Sequence, residues 1–212
     1  MKILGVKELD DKFYSLIEEK KPDLFLEIGS YDAQTSNKVK GIVPDCKVVA
    51  YEASPYNYKK FLGTHQNDIE YLNLALSNYV GDTTFYVQLS NNGRLLPKTK
   101  KNNSILKRTE SNVVYENIKV KVETIDNMFA DEYNNIAMWI DVEGVGYEVL
   151  LGARALLERT NLIKIEVESR EFWKEQYIDQ KIISLLESLG FTYMYKDQER
   201  DGQYNIIFLK EN

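Results

Sequence analysis

The chain is 212 residues long, enough for one α/β domain with a sizeable buried core. Its 27 basic and 33 acidic side chains leave a net charge of −6, which argues against a nucleic-acid binder working by bulk positive charge. A single cysteine, Cys46, excludes an intrachain disulfide and reads as a small apolar filler in a reducing compartment; with no bilayer-spanning apolar run and no signal-like leader, a cytoplasmic protein is expected.

Residues 6–19 carry Leu9, Phe13, Leu16 and Ile17 at helical spacing, and Pro22 stops the helix. Leu24–Ile28 is a short apolar strand running into Glu27-Ile28-Gly29-Ser30-Tyr31-Asp32-Ala33. A helix is predicted over 34–40, a turn at Pro44-Asp45, and a second strand over Lys47–Tyr51 that ends in Glu52. Ser54 and Pro55 suit the cap and first position of a helix over 55–62, and 69–76 reads as a third strand. This is β-α-β-α-β, the half-unit of a Rossmann-like, doubly wound sheet.

The next stretch differs. Residues 83–88 are strand-like, and 113–125 alternate, with Ile118, Val120 and Val122 on one face. They bracket 89–112, rich in Asn, Ser, Lys and Gly and without periodicity. An inserted β-hairpin near 83–123 with a structureless, mobile loop is expected. Ile136–Ile140 returns to buried strand, followed by a helix over 147–159, a strand over 162–167 and a helix over 173–189 closed by Gly190. Residues 191–195 and 204–209 form a terminal antiparallel pair about Asp201-Gly202. Trp139 and Trp173 read as core, Asp126 as a helix cap, and the whole of 1–212 as one domain.

Chemistry gathers where strands end, since ligands of open α/β sheets bind beyond those ends. Gly29 lets the backbone approach a ligand, but the second and third glycines of a dinucleotide fingerprint are absent, so a dehydrogenase is disfavoured. Glu27 and Asp32 would repel a phosphate and suit a cation. Glu52 lies where an acid can hold both hydroxyls of a ribose. An adenosine-bearing ligand with a positive centre and no phosphates satisfies all three features, and S-adenosylmethionine is such a molecule. Asp141 and Glu143, and again Glu166 and Glu168, stand two apart at the ends of successive predicted strands. Acids in such places also serve as caps at helix starts. If the strands are neighbours, the four crowd one rim, where mutual repulsion raises a pKa or a divalent ion is held through oxygen.

The residues Phe25-Leu26-Glu27-Ile28-Gly29-Ser30, Val49-Ala50-Tyr51-Glu52-Ala53-Ser54-Pro55, Leu74-Ala75-Leu76-Ser77, Thr124-Ile125-Asp126, Ile140-Asp141-Val142-Glu143-Gly144 with Glu148-Val149-Leu150-Leu151-Gly152-Ala153, and Ile165-Glu166 resemble the FkbM-type S-adenosylmethionine-dependent methyltransferases. The resemblance implies a Rossmann-like, seven-stranded class I methyltransferase sheet and methyl transfer, usually to oxygen. It implies cofactor contacts at Glu27, Gly29, Glu52 and the Leu74-Ala75 turn; Ser30, Tyr31, Asp32, Ala53 and Asp141 complete the candidate set. Two positions depart from the pattern: Glu27 where the family has Asp, and Ala33 where it has a second glycine.

A sulfonium methyl is already activated, so the protein mainly aligns the partners and takes a proton from an acceptor hydroxyl. The one histidine, His65, follows the second helix and reads as a surface residue. The base is therefore sought among carboxylates: Asp141 as base or ligand, Glu143 as its partner, Glu166 as support. A divalent metal is an open option with no ligand set assigned. Arg94, Lys98, Lys100, Lys101, Lys107 and Arg108 in the loop read either as solvated charge or as a lid recognising an anionic small-molecule or glycan acceptor. Tyr31, Tyr56 and Tyr58 are candidates to stack on adenine. The rival readings are a non-catalytic nucleotide-binding α/β domain and an RNA methyltransferase.

Overall fold

The computed structural model describes residues 1–65, 67–129 and 133–211. In chain order the elements are β1 (Lys2–Ile3), α1 (Val6–Lys20), β2 (Leu24–Ile28), α2 (Gln34–Ile42), β3 (Lys47–Tyr51), α3 (Pro55–Phe61), β4 (Glu70–Leu72), β5 (Ala75–Leu76), β6 (Gly81–Asn91), β7 (Arg94–Leu95), β8 (Val113–Glu123), α4 (Ile125–Met128), β9 (Ile136–Ile140), α5 (Gly146–Leu151), a 3₁₀ turn (Leu156–Arg159), β10 (Thr160–Glu168), α6 (Asp179–Ser188), β11 (Thr192–Lys196) and β12 (Gln203–Leu209). The main sheet has the order β1-β11-β12-β10-β9-β2-β3-β4, and a second sheet the order β5-β8-β6-β7. In the main sheet β12 runs antiparallel to both neighbours and the other pairs are parallel. The strand count is eight, not the expected seven, because Lys2 and Ile3 pair with Tyr195 and Lys196.

The central strands are buried on both faces, which is why they read as continuous apolar runs. Leu26, Met138, Ile163 and Ile165 pack on the side of α5 and α6. Phe25, Ala137, Leu162 and Ile207 pack on the other side, against Leu9, Phe13 and Ile17 of α1 and Val39 of α2. Phe13 meets Trp139 edge-on at 5.2 Å. Cys46 lies buried in that second cluster, as a filler should. No helix among the described residues is long and apolar enough to cross a membrane.

Four expectations are corrected. The strand over 69–76 divides: β4 stays on β3, whereas Ala75 and Leu76 cross to pair with Val122 and Glu123. Between them Asn73 donates to the carbonyls of Glu52 and Ala53 at 2.8 and 3.1 Å, replacing ladder bonds at the point of departure. Residues 89–112 are not structureless. β6 runs on to Asn91, β7 folds back on it, and single bridges tie Ser104 to Tyr86 and Arg108 to Trp173.

The helix over 147–159 breaks at Gly152, where an added Cβ would lie 2.0 Å from the Ser77 carbonyl oxygen. The Asp126 carboxylate then accepts from Ala155 and Leu156 N–H at 3.0 and 2.9 Å, so it caps the 3₁₀ turn, while Thr124 caps α4. The helix over 173–189 begins only at Asp179, because the fully buried Trp173 is held in a turn by Gln176 Oε1, which accepts from the N–H groups of Phe172 and Trp173. Gly152→Ala is expected to destabilise the protein by about 3 kcal/mol or more, since backbone must move to admit the methyl. A thermal melt should show the midpoint falling by roughly 6–12 °C, and an unchanged midpoint would contradict the close approach.

Candidate active site

The site is laid out by sheet register. Glu27, Trp139 and Lys164 stand side by side on β2, β9 and β10. They occupy the face shared with Phe25, Ala137 and Leu162, two residues nearer the strand ends. Two residues further on come Gly29, Asp141 and Glu166. The apolar layer under α1 and α2 thus turns polar at the carboxyl edge of the sheet.

The loop after β2 is pinned from three directions. Gly29 and Ser30 N–H donate to the Tyr51 carbonyl at 3.0 and 2.9 Å, and Asp141 N–H donates to the Ile28 carbonyl at 2.8 Å. A Cβ on Gly29 (φ +83°) would lie 2.0 Å from the Asp141 carbonyl oxygen, so only glycine lets these two segments touch. Glu52 completes the loop: one carboxylate oxygen accepts from Tyr31 N–H at 2.8 Å and the other from Ser54 N–H at 2.7 Å. Tyr31 and Ala33 hold φ of 50° and 52°. Ala33 stands where the family pattern has its second glycine, and the left-handed backbone supplies the physical reason for that preference.

These segments open onto one cavity of about 580 Å³, a size that holds a small ligand whole. Its lining includes all ten candidate cofactor positions: Glu27, Gly29, Ser30, Tyr31, Asp32, Glu52, Ala53, Leu74, Ala75 and Asp141. Glu143 lines it too. Glu166 does not; it sits behind the rim beside Gln203, 3.4 Å away.

Of the six basic side chains of 89–112, Lys101 alone lines the cavity, its ammonium 4.7 Å from the Tyr31 ring centre. Lys98 is paired with Glu116 at 2.9 Å and Lys100 reaches Gln88. The segment bears on the site through Ser104 Oγ, which donates to the Glu143 carbonyl at 2.5 Å. Tyr56 and Tyr58 are outside the cavity, turned to Glu116 and Tyr71. Half-buried His65 is also outside it, its Nε2 3.1 Å from the Asp32 carbonyl. Trp139, expected in the core, forms part of the wall.

Sequence reading missed the contribution of α1, which brings Lys7, Asp10, Asp11 and Tyr14 to the cavity, and of Phe85 and Ile105 from the hairpin segment. The polar face of an amphipathic helix looks the same whether it meets water or a ligand, so no local signal marked it.

Burial sets the charges. It pushes Glu27 and Glu52 up to about 7, although each carboxylate accepts backbone N–H bonds that favour its charged form. Burial first, then the charges of Asp141 and its neighbours, push Glu143 to about 8 and Glu166 to about 9; Glu168 rises to about 7. Asp141 lies deep among protein atoms, yet its carboxylate is open to the cavity. Depth pushes its pKa up, and Lys164 and Lys101 act against that push. Among the described residues no three His, Cys, Asp or Glu side chains are placed to hold a metal ion together.

Residues 27–193 match the Methyltransferase FkbM domain family. The chain belongs to the FkbM methyltransferase family. Among solved structures, a methyltransferase FkbM from Methylobacillus flagellatus KT is similar over 89% of this chain at 12% identity and a TM-score of 0.53. The FkbM chain described here spans 44% of the length of that protein. Magnesium protoporphyrin IX methyltransferase from Synechocystis PCC 6803, solved with bound S-adenosylmethionine, is similar over 97% of this chain and 79% of its own, at 10% identity and a TM-score of 0.53. An rRNA methylase from Streptococcus thermophilus is similar over 96% of this chain and 97% of its own, at 10% identity and a TM-score of 0.53. No curated protein matches this chain in sequence.

The mixed α/β sheet of this FkbM-family chain is similar to that of class I methyltransferase structures. The cavity suits an adenosine-bearing ligand with a positive centre: buried acids face it from two strand ends, and a glycine brings the loop backbone to its edge. Raised carboxyl pKa values also mean that the folded protein holds more protons than the unfolded chain between the ordinary carboxylate range and about 9, so its stability falls as pH rises through that window. The unliganded protein should lose melting temperature steadily from about pH 5 to about pH 9. Glu166→Gln should flatten the upper part of that slope. A melting temperature that rises across the window would contradict the charge assignment.

Proposed function

We propose that the protein transfers a methyl group from S-adenosylmethionine to a hydroxyl oxygen of a sugar, glycan or other small polar metabolite. The observation that carries this reading is the shared cavity, in which Gly29, Glu52 and Asp141 face one space. In this reading Glu52 holds the ribose hydroxyls, and the Gly29-Ser30 backbone lies along the ligand. Glu27 and Asp32 attract its positive end, while Tyr31, Ala53, Leu74 and Ala75 enclose the adenine. When bound, the cofactor supplies an electrophilic methyl group.

Asp141 takes the acceptor proton. Its charged form is favoured by two ammonium groups, Lys164 and Lys101, against the burial that favours its protonated form. Glu143 and Glu166 support it as neutral acids at neutral pH, and the proton accepted by Asp141 leaves to solvent through the cavity that its carboxylate faces. The net charge of −6 and the mixed charges of the cavity favour a small acceptor over RNA.

Calorimetry should show S-adenosylhomocysteine binding in preference to adenine nucleotides, with label from the methyl-tritiated cofactor then passing to a hydroxylated acceptor. Asp141→Asn should lower turnover by about 10²–10⁴ with the acceptor bound as before; full turnover in that variant would exclude Asp141 as the base. Lys101→Glu should raise KM for an anionic acceptor roughly 5- to 10-fold, about 1 kcal/mol, and leave KM for a neutral acceptor unchanged. Label found only in RNA, retained in a salt-dependent way, would overturn the small-acceptor reading.

A further inference from the structure

Lys164 is an unusual residue for its place. It lies in the middle of β10, on a face otherwise packed with Phe25, Ala137 and Leu162, and is only 2% exposed. A buried ammonium is costly unless its charge is met. Here it is met closely. Nζ lies 2.5 Å from Asp10 Oδ1 of α1 and 3.2 Å from the centre of the Trp139 ring. Asp141 and Asp197 add attraction from the two sides. Asp197 is itself fixed, accepting from the backbone and side-chain N–H groups of Asn205 at 2.7 and 3.1 Å.

The sheet register decides what this cation does. Lys164 is directly opposite Trp139, and Asp141 is two residues further along β9 on the same face. The ammonium is thus a diagonal neighbour of Asp141, itself shielded from solvent while that carboxylate opens onto the cavity. Among the described residues, Lys101 also attracts Asp141 from the hairpin segment, while Asp10 of α1, Glu52 after β3, Glu143 beside it and Glu166 and Glu168 of β10 repel it. Lys164 is the buried one of the two cations, so its effect persists in salt that screens exposed Lys101.

We propose that Lys164 is a positioning residue of the methyl-transfer site, which sets a buried positive charge beside the Asp141 carboxylate and, through Asp10, fixes α1 as the outer wall of the cleft. The consequence for catalysis rests on the reading of Asp141 as the base; the electrostatic claim does not. Lys164 touches neither cofactor nor acceptor in this scheme. It acts through Asp141, and through the Trp139 ring on which its ammonium rests. Residues 1–26, which include Asp10, lie outside the match to the family.

The test is a titration of ¹³C-carboxyl-labelled aspartates by NMR in the full-length protein, the Asp141 signal being assigned by its loss in Asp141→Asn. Lys164→Met should move the Asp141 titration upward by about one pH unit or more, and Lys164→Arg should largely restore it. Asp10→Asn removes a repelling charge and should move it downward, which a merely structural disturbance of α1 would not do. In the same proteins the acid limb of kcat/KM should follow the NMR shifts in sign.

An Asp141 titration that is unchanged in Lys164→Met, or that moves the same way in both variants, overturns the proposal. NMR shifts as expected with an unmoved acid limb would leave Lys164 as proposed and remove Asp141 as the base. Should Lys164→Met fail to fold, Lys164→Gln and Asp10→Asn carry the same comparison.

Discussion

The site depends on one close approach, that of Gly29 to the carbonyl oxygen of Asp141. No side chain fits there, since a Cβ would come within 2.0 Å of that oxygen. Because the approach is permitted, the loop after β2 and the segment after β9 lie against each other at the carboxyl edge of the sheet. The Asp141 N–H completes the contact by donating to Ile28. The other parts of the site are hung from this joint. Glu52 reaches across from β3 to cap the same loop, and Glu143 follows Asp141 round the rim. Parallel pairing of β2 with both β3 and β9 sets their spacing to that of a sheet, about 4.8 Å between strands, so the functional groups are placed by backbone geometry rather than by flexible side chains.

Around that joint the protein gathers carboxyl groups at a density that a water-filled surface would not tolerate. It does so by letting most of them keep a proton. Burial raises Glu143 and Glu166 to about 8 and 9, Glu143 against the pull of Arg108 and Lys100, while at Asp141 Lys164 and Lys101 act against burial. Depth and neighbouring charge therefore act to a different extent on each carboxyl of the rim. The same arrangement leaves the unliganded cavity suited to a positively charged guest.

Much of this was legible in the chain itself. The strand ends were marked by a switch from apolar run to Glu27-Ile28-Gly29, Tyr51-Glu52 and Ile140-Asp141, and the residues that line the cavity from the sheet are largely those. What stayed hidden involved contacts between segments distant in sequence. Nothing local in Gly152 announces that Ser77 will press against it, so a helix was expected to continue. Asn73 does not disclose that it will replace ladder bonds and send the chain to another sheet. The polar residues of 89–112 read as a bare loop because their partners, Trp173, Tyr86 and Glu143, come from other elements. Lys164 was passed over because a lysine in an apolar strand reads as a residue at a sheet edge, and its neutralising partner lies 154 positions away.

The N-terminal helix has a wider meaning. The wall it forms stands outside the stretch that matches the family, while the rim at the strand ends stands inside it. The cleft is therefore completed only once the first twenty residues have folded back onto a sheet whose pairing is made by later segments, so pocket and tertiary fold form together.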